Sequence, residues 1–429
     1  MERFSKAWAT FKGLVFCQLC MAITFLTTGI IINCIQAVMY VTIRPVNPTL
    51  YRKINFYVTY MLNSQVVFVV EWWSGSRSFI YTDPAHVKDY FGKEHALLLL
   101  NHGCEVDWLM GWVICDRVGV LGNARVYAKR ILQYAPVLGW SWKFQEIVFL
   151  DRDWEKDRRN MGAQLTRLAA YPDPIWLTLF PEGTRFTQEK YEASMEVARE
   201  KGLPLLKHHL LPRTKGFVAS IPYLKGKVPA IYDVVVVVEK GCKNEPSVFS
   251  LVRGEEVRTE LLIRRIPMSE VPDDEKEAAA WLQKLFQDKD KVLDNYVKLG
   301  EFVPKNERDS EEYSSYKNYQ KIELPRRYYS LINFCSWAAL ILIPLGTYLC
   351  QTMLSGSIIR ISVVAILCAS AYIGFNNLIN LTRIDKGSTY GSTGPTPSTN
   401  GVHNNGSAKS DKPNGIGMNG STKVESKLD

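Results

Sequence analysis

The feature that most constrains the fold is a long stretch without charge near the N-terminus. Residues 13–43 hold no Lys, Arg, Asp or Glu and are bracketed by Lys12 and Arg44. About 20 apolar residues cross the hydrocarbon core of a bilayer. The longer stretch found here predicts one tilted span, or a helix pair broken near Gly29 that returns to the same face. We assign residues 1–56 to an N-terminal membrane anchor. A cleaved signal peptide is a third interpretation.

A second uncharged stretch, residues 328–381, is interrupted only by Arg360. Polar residues 355–357 divide it into two segments, each of about the length that a spanning helix needs. Basic residues flank the stretch on both sides, at Arg326, Arg327, Arg383 and Lys386. The excess of positive charge in cytoplasmic loops therefore places both ends in the cytoplasm. We expect residues 311–383 to form a C-terminal transmembrane hairpin with its lead-in; buried helices of a soluble core are the alternative.

Composition narrows the choice of binding partner and of cellular compartment. The formal charge of +9 favours an anionic partner, which could be a phospholipid surface, a nucleotide-bearing substrate or nucleic acid. The nine cysteines are odd in number and show no paired spacing in the middle of the chain, which argues against a disulfide framework and for a reducing compartment. Residues 384–429 are rich in Gly, Ser, Thr, Asn and Pro, and we expect a disordered tail there.

The middle of the chain, residues 57–310, alternates between short apolar runs and amphipathic stretches. The apolar, β-rich runs are residues 66–70, 78–81, 96–100, 147–150, 175–180 and 231–238. Helical patterns lie between them, and one begins at the N-cap candidate Asp153. This alternation predicts an α/β fold for a single domain that spans residues 57–310.

A histidine follows one of these runs, in the sequence ALLLLNHGCEVDW. We expect His102 at the end of a strand and Asp107 near the start of the next helix. On one straight helix the two would point about 140° apart and could not meet. They can meet if His102 lies in the loop and Asp107 in the first helical turn. Asp107 would then accept a hydrogen bond from one imidazole nitrogen and leave the other as a base.

A His and Asp pair without an evident serine resembles a catalytic triad that lacks its nucleophile. A substrate hydroxyl would take the place of the serine. His102 would deprotonate it as it attacks an acyl carbonyl, and Asp107 would stabilise the imidazolium. Two other interpretations remain open. The histidine could be structural, or Cys104, Glu105 and Asp107 could bind a metal, although no second cluster of residues has ligand spacing.

The sequence PIWLTLFPEGTRFT forms a second candidate site. A strand is expected to end at Phe180, and Pro181 and Gly183 favour a turn. Glu182 and Arg185 are then left at the carboxyl end of the strand, where open α/β sheets bind ligands. An arginine offers a planar fork of donors that suits a phosphate. An ordinary ion-paired turn is the alternative.

These two motifs belong to a set of four that occur in a recognisable order. The other two are EIVFLDRDW and residues 228–230, Val-Pro-Ala. Together they resemble the ordered blocks of the glycerolipid acyltransferases. The stretches MEVAREKGLPLLKHHLLPRTKGF and DEKEAAAWLQKLFQDKD resemble the eukaryotic lysophosphatidic acid acyltransferases of the gamma and delta type. The resemblance covers roughly residues 41–302 and extends to the C-terminal hairpin.

The resemblance implies a mixed central sheet flanked by helices, the glycerol-3-phosphate acyltransferase-like fold. It implies transfer of an acyl group from acyl-CoA to the sn-2 hydroxyl of lysophosphatidic acid, with His102 as the base and Asp107 as its partner. The implied substrate-binding residues are Glu182, Gly183, Thr184, Arg185, Lys129, Arg152 and Pro229. Within this set, Arg185, Glu182 and Lys129 would hold the acceptor phosphate.

Arg152 and Pro229 are implied to shape the acceptor site. The chain departs from the family at residues 130–131, Arg-Ile, where Lys-Glu is commoner, so either Lys129 or Arg130 could face the phosphate. Lys215 is a further basic candidate, or a solvated surface residue.

The implied partners are acyl-CoA, lysophosphatidic acid and the phospholipid bilayer, with no nucleic acid, no metal and no cofactor beyond the acyl-CoA co-substrate. Likeness to the family favours a multi-pass protein of the endoplasmic reticulum membrane, with the Golgi as the alternative.

Three other functions stay open. The acceptor could be another lysophospholipid. A lipid thioesterase or hydrolase would need an enzyme nucleophile, and Cys104 is the only thiol close in sequence to His102, while no G-x-S-x-G motif occurs. A non-enzymatic membrane scaffold would not need His102.

Overall fold

The structure is a computed structural model that describes residues 10–151, 153–239 and 246–382. It opens with two helices, α1 (Val15–Thr42) and α2 (Pro48–Phe68). α1 is a single helix that continues through Gly29, so the alternative of a helix pair broken there is wrong. The chain reverses at residues 43–47. The Asn47 side chain accepts a hydrogen bond from the Leu50 amide, and Pro48 occupies the first helical turn. Both features favour a helix start at this point.

α2 extends beyond residue 56 into the region where a strand was expected at residues 66–70. That expectation is wrong, because these residues complete α2 and enter a single π-helical turn (Val69–Trp73). A short apolar run does not by itself distinguish a buried strand from a buried helix. Here Val67 and Val70 pack into the core from a helix.

The remaining elements alternate along the chain as follows: β1 (Arg77–Thr82), α3 (Pro84–Asp89), β2 (Ala96–Leu100), α4 (Asp107–Arg117), β3 (Ala124–Lys129), α5 (Leu138–Phe144), β4 (Val148–Leu150), α6 (Trp154–Ala169), β5 (Trp176–Leu179), α7 (Gln188–Glu200), α8 (Thr214–Val218), α9 (Ile221–Leu224), β6 (Ala230–Val238), α10 (Val248–Val252), β7 (Arg258–Pro267), α11 (Glu275–Leu299), β8 (Gln320–Ile322), α12 (Tyr329–Leu354) and α13 (Ile358–Thr382). Asp153 caps α6 by accepting from the Lys156 amide.

The strands form one mixed sheet in the order β4-β3-β5-β2-β6-β7-β1-β8. The first five in this order are mutually parallel, whereas β7 pairs antiparallel with β6 and β8 antiparallel with β1. The α/β fold with a mixed sheet and flanking helices is therefore confirmed. Five of the expected runs became β1, β2, β4, β5 and β6, while β3, β7 and β8 were not predicted.

Helices cover both faces of the sheet, so β2 is buried throughout. Leu98 and Leu100 pack with α4 on one face, and Leu97 and Leu99 pack with α6 and α11 on the other. A strand buried on both faces carries an unbroken apolar run, as parallel strands in α/β proteins do.

A buried arginine connects the first part of the domain with the last. Arg117, at the end of α4, donates to the Glu71 carboxylate at 2.7 Å. It also donates to the carbonyl oxygens of Ser78, at 3.2 Å, and Leu324, at 3.0 Å. Both charged side chains are fully buried. A buried ion pair requires such additional hydrogen bonds to offset the desolvation of its charges.

Among the described residues, α1 and α12 are long and apolar enough to cross a membrane. The apolar part of α13, Ile358–Gly374, is shorter. α12 and α13 join at residues 355–357, where the polar link was expected. α12 packs on α2. Phe334 stacks on Phe68, and the Asn333 amide donates to the Met61 carbonyl oxygen at 2.8 Å. The expected tail, residues 384–429, lies outside the described residues.

Gly29 is a contact point between α1 and the sheet domain. Val137, which immediately precedes α5, has φ of +66°, and the Leu138 amide donates to the Pro136 carbonyl oxygen across it. This tight γ-turn is strained for a β-branched residue. The Asn33 amide donates to the Val137 carbonyl oxygen at 3.1 Å. A Cβ at Gly29 would collide with the Val137 side chain, so glycine permits the close approach.

We expect Gly29→Ala to lower the stability of the folded protein by about 1–3 kcal/mol, the range typical of overpacking. The measurement is thermal unfolding of the purified protein in detergent. Gly346→Ala is the matched control, since an added Cβ in α12 meets nothing within 4 Å. Equal melting temperatures for the two variants would show that α1 does not depend on this contact.

Candidate active site

The candidate site lies at one edge of the sheet, where three neighbouring strands end. β3, β5 and β2 are adjacent and parallel, and Leu99 of β2 is in register with Leu179 of β5. The loops that follow β2 and β5 carry His102 and Arg185, and Lys129 is the last residue of β3. Ligands of open α/β sheets bind at this carboxyl edge. The topology therefore brings together motifs that are about eighty residues apart in the chain.

His102 and Asp107 meet as the sequence predicted. His102 lies in the loop after β2, Asp107 is the first residue of α4, and His102 Nδ1 is 2.8 Å from Asp107 Oδ2. The carboxylate is buried and accepts two backbone amides, from Trp108 at 2.7 Å and from Cys104 at 3.3 Å. An acceptor at a helix N-terminus is further stabilised by the helix dipole. Asp107 is thus held in place by the backbone and orients the imidazole.

The environment of His102 makes its imidazole a stronger base than usual. Burial opposes the charged form, but the negative charge and hydrogen bond of Asp107 outweigh burial, and the pKa of His102 is raised. The charge of Glu182 acts in the same direction, and that of Arg185 opposes it. The ring packs against Phe180 at 4.7 Å between centroids. Nε2 has no hydrogen-bond partner among the described residues, and His102 lines a cavity.

Glu182 occupies a different position from the one expected. Its two carboxylate oxygens accept the backbone amides of His102, at 3.0 Å, and Leu210, at 3.2 Å. The side chain is buried, which raises the pKa of Glu182, and it does not line the cavity. The structure therefore does not bring Glu182 together with the cavity-lining residues that were expected to hold the acceptor phosphate. A carboxylate used in this way instead joins the His102 loop to the segment before α8.

The other residues of the PEGTR motif face the cavity. Gly183, Thr184 and Arg185 all line it. The Thr184 hydroxyl is buried and has no hydrogen-bond partner among the described residues. An Arg185 guanidinium nitrogen lies 3.8 Å from a carboxylate oxygen of Glu105. The motif therefore presents one cation and one free hydroxyl to a ligand.

The basic residues near this edge separate into two groups. Lys129 lines the cavity, whereas Arg130 is paired with Asp151 at 2.7 Å and does not. Lys215 is exposed, with its ammonium over the Trp154 ring, and also lies outside the lining. Of the candidates left open by the sequence, Lys129 is the one whose position suits a phosphate.

Arg213 is a lining residue that the sequence did not single out. Burial lowers the pKa of its guanidinium. Gly183 has φ of +71°, and a Cβ there would come within 2.9 Å of the Arg213 side chain. The glycine thus allows the PEGTR turn to pack directly on this arginine. The signal was available, because Arg213 stands in LLPRTKGF, a stretch that resembles the family.

Pro229 does not belong to this site. It is exposed and directly precedes β6, whose first residue pairs with Ala96 at the start of β2. His102 follows the other end of β2, about 16 Å away at 3.3 Å per residue. The structure therefore does not bring Pro229 together with the other residues predicted to bind the acceptor. Arg152 lies outside the described residues.

The cavity combines a charged mouth with an apolar interior. Its volume is about 280 Å³. Arg185, Lys129 and Arg213 lie at the carboxyl edge of the sheet. Most of the remaining lining is apolar and includes Leu98, Leu100, Trp112, Ala128, Leu132 and Trp142. In the described part of the chain no group of three or more His, Cys, Asp or Glu side chains could hold a metal ion. The arrangement suits an amphiphile with an anionic group and a hydrocarbon chain.

The fold and this His–Asp site define the chain as a member of the acyltransferase family. The family model described as "Acyltransferase" matches residues 79–237, and the model "Acyltransferase C-terminus" matches residues 250–337.

Individual enzymes of this family are similar to the chain over most of its length. The chain is 42% identical over 374 residues to human 1-acyl-sn-glycerol-3-phosphate acyltransferase gamma, covering 87% of this chain and 94% of that protein. It is 40% identical over 385 residues to the delta enzyme of Rattus norvegicus, covering 89% and 96%. The crystal structure of the lysophosphatidic acid acyltransferase PlsC from Thermotoga maritima matches with 15% identity and a TM-score of 0.39, covering 67% of this chain and 98% of that one.

We expect Asp107→Asn to lower the pKa of His102, because the substitution removes the charge that raises it. If neutral His102 is the active form, the acidic limb of the pH–rate profile then moves to lower pH. The maximal rate falls by roughly 10²–10⁴-fold, since the tautomer is no longer fixed.

Asp294→Asn is the matched control, because Asp294 pairs with His208 at 3.0 Å outside the cavity lining. An acidic limb that stays in place in Asp107→Asn, or moves equally in the control, would contradict the assignment.

Proposed function

We propose that the protein transfers an acyl group from acyl-CoA to the sn-2 hydroxyl of lysophosphatidic acid and produces phosphatidic acid. The observation that carries this proposal is the buried Asp107 carboxylate bonded to His102, whose other ring nitrogen is free beside a cavity with a cationic mouth. The names of the gamma and delta relatives support the choice of acceptor.

The reaction consists of two proton transfers at one imidazole. His102 Nε2 takes the proton of the acceptor hydroxyl as that oxygen attacks the thioester carbonyl, and a tetrahedral intermediate forms. When the intermediate collapses, the carbon–sulfur bond breaks and the departing thiolate receives the proton from the imidazolium. The products are the diacylated lipid and free coenzyme A. The imidazole returns to its starting state, and no acyl-enzyme is formed.

Asp107 and Glu182 prepare the base without contacting the reacting atoms. Asp107 fixes the tautomer of His102 and stabilises the imidazolium. Glu182 holds the backbone of the His102 loop through the hydrogen bond from the His102 amide. We therefore assign Glu182 a positioning role.

The acceptor phosphate would bind at the mouth of the cavity. Arg185 offers its guanidinium fork, and Lys129 and Arg213 add positive charge to the same lining. The unpartnered Thr184 hydroxyl can donate to a phosphate oxygen. The transferred acyl chain would extend into the apolar interior, where its burial contributes about 0.8 kcal/mol per methylene group.

We also propose that the enzyme works at the surface of the endoplasmic reticulum membrane, with the carboxyl edge of the sheet on the cytoplasmic side. A lysophospholipid resides in the bilayer, whereas acyl-CoA carries a polar nucleotide in water. A site beside α1 and α12 meets both requirements, because these helices are long and apolar enough to span the bilayer.

We expect His102→Ala to abolish acyl transfer from labelled oleoyl-CoA to lysophosphatidic acid, with a loss of at least about 10³-fold. His208→Ala is the control, since His208 lies outside the cavity lining. A purified enzyme assayed against several lysolipids also identifies the preferred acceptor.

The same assay separates the transferase from a thioesterase. Cys104→Ala should leave transfer intact, because the substrate hydroxyl is the nucleophile. A burst of acyl-enzyme that disappears in Cys104→Ala would favour a thioesterase that uses this cysteine. Full transfer by His102→Ala would exclude the proposed base.

We expect Arg185→Gln to raise the KM for lysophosphatidic acid by about 10–100-fold, the effect of losing a charge-assisted hydrogen bond. The KM for a monoacylglycerol acceptor, which has no phosphate, should change little. Lys215→Gln is the matched control, because Lys215 is exposed and lies outside the lining. A rise in the KM for acyl-CoA alone would place Arg185 at the donor instead.

A further inference from the structure

A second, smaller chamber lies beside the catalytic cavity. Its volume is about 80 Å³, and its lining is apolar apart from Gln65. Trp108 and Leu138 line both chambers, so these two side chains form the wall between them. Trp108 directly follows Asp107, and its backbone amide bonds to the Asp107 carboxylate. The second chamber therefore begins one side chain away from the His–Asp pair.

The two chambers are built from different parts of the fold. The strands of the sheet, together with α4 and α5, supply most of the walls of the catalytic cavity. Much of the wall of the second chamber comes from the first two helices and from α12, including Phe25 of α1, Val66 of α2 and Phe334 of α12. A molecule in the second chamber thus contacts α1 and α12, the two described helices that are long and apolar enough to span a bilayer.

The second chamber also adjoins the proposed phosphate site. Val248 lines the chamber, and its backbone amide donates to Glu105 at 3.3 Å. Glu105 in turn lies 3.8 Å from Arg185. A lipid whose phosphate binds Arg185 can therefore direct its hydrocarbon chain past Trp108 into the second chamber.

The proposed reaction requires two hydrocarbon chains at one imidazole. One chain arrives on the thioester, and the acceptor already carries another at sn-1. The acyl-CoA donor carries a polar nucleotide and approaches from water, whereas the acceptor lysophospholipid arrives from the bilayer. The small volume of the second chamber suits a chain of which only part leaves the lipid.

We propose that the second chamber binds the sn-1 acyl chain of the acceptor, while the catalytic cavity binds the chain being transferred. This inference rests on the proposed function. It makes Trp108 and Leu138 the partition that keeps the two chains apart, and it makes residues of α1, α2 and α12 determinants of acceptor specificity.

To test this inference, a larger side chain is introduced into one chamber at a time in the full-length enzyme, which is assayed in nanodiscs. Val66→Phe should raise the KM for long-chain lysophosphatidic acid by at least about tenfold relative to a short-chain acceptor, as expected when an apolar pocket loses room. The KM and chain preference for acyl-CoA should not change. Ala128→Leu, in the catalytic cavity, should do the reverse. It should shift the preference toward shorter acyl-CoA and leave the acceptor profile unaltered.

Phe25→Ala, which enlarges the second chamber, should improve kcat/KM for acceptors with longer chains. If Val66→Phe does not fold, this variant alone tests whether the second chamber binds the acceptor chain. The inference is overturned if the second-chamber variants change the acyl-CoA profile instead, or if neither substrate responds to them. Inactivity of the wild type toward every lysolipid would refute the proposed function itself, which is a distinct outcome.

Discussion

The parallel pairing of β2 with β5 is the constraint on which the site depends. Because the two strands share their register, the loops that follow them emerge side by side. His102 and Arg185, one from each loop, thereby face the same cavity. The bond between the loops is direct, since the Phe186 amide donates to the His102 carbonyl oxygen at 2.8 Å. The proposed base and the cation are thus positioned by the sheet before any substrate binds.

Buried charge then fixes what the strands have brought together. Glu182 links the His102 loop to Leu210, and the neighbouring His209 is held by Asp290 of α11 at 3.0 Å. Lys289, also of α11, donates to the carbonyl oxygen of Leu99 at 2.7 Å. The segments around His102 are therefore also supported by the long helix α11, which packs on the face of the sheet opposite to α4.

The elements that the sequence predicted were those with a local signal. A continuous apolar run followed by His102 and Asp107 is sufficient to predict a strand, a loop and a helix start, and the pair met as expected. β7 was missed because it carries Arg264 and Arg265. Their charges are balanced by Asp233 and Glu94, which lie far away in sequence. No pattern within a strand of this kind indicates that it is buried.

The predicted site residues that lie apart from the cavity come from motifs whose position in the sheet is not encoded locally. Pro229 belongs to a motif that resembles the family, but only the strand direction shows that it lies at the opposite edge. Glu182 was grouped with Arg185 because they are three residues apart. In a tight turn such neighbours point to opposite sides, one into the cavity and the other into the protein. The sequence left open a helix break at Gly29, whereas the glycine serves the close contact with Val137 within one continuous helix.

The buried pair of Arg117 and Glu71 has a consequence for biosynthesis. A ribosome makes the chain from the N-terminus, so Arg117 is synthesised long before Leu324. Until then Arg117 lacks one of the carbonyl oxygens that surround it in the finished protein. The packing around this buried ion pair is therefore complete only when the segment leading into α12 has been made.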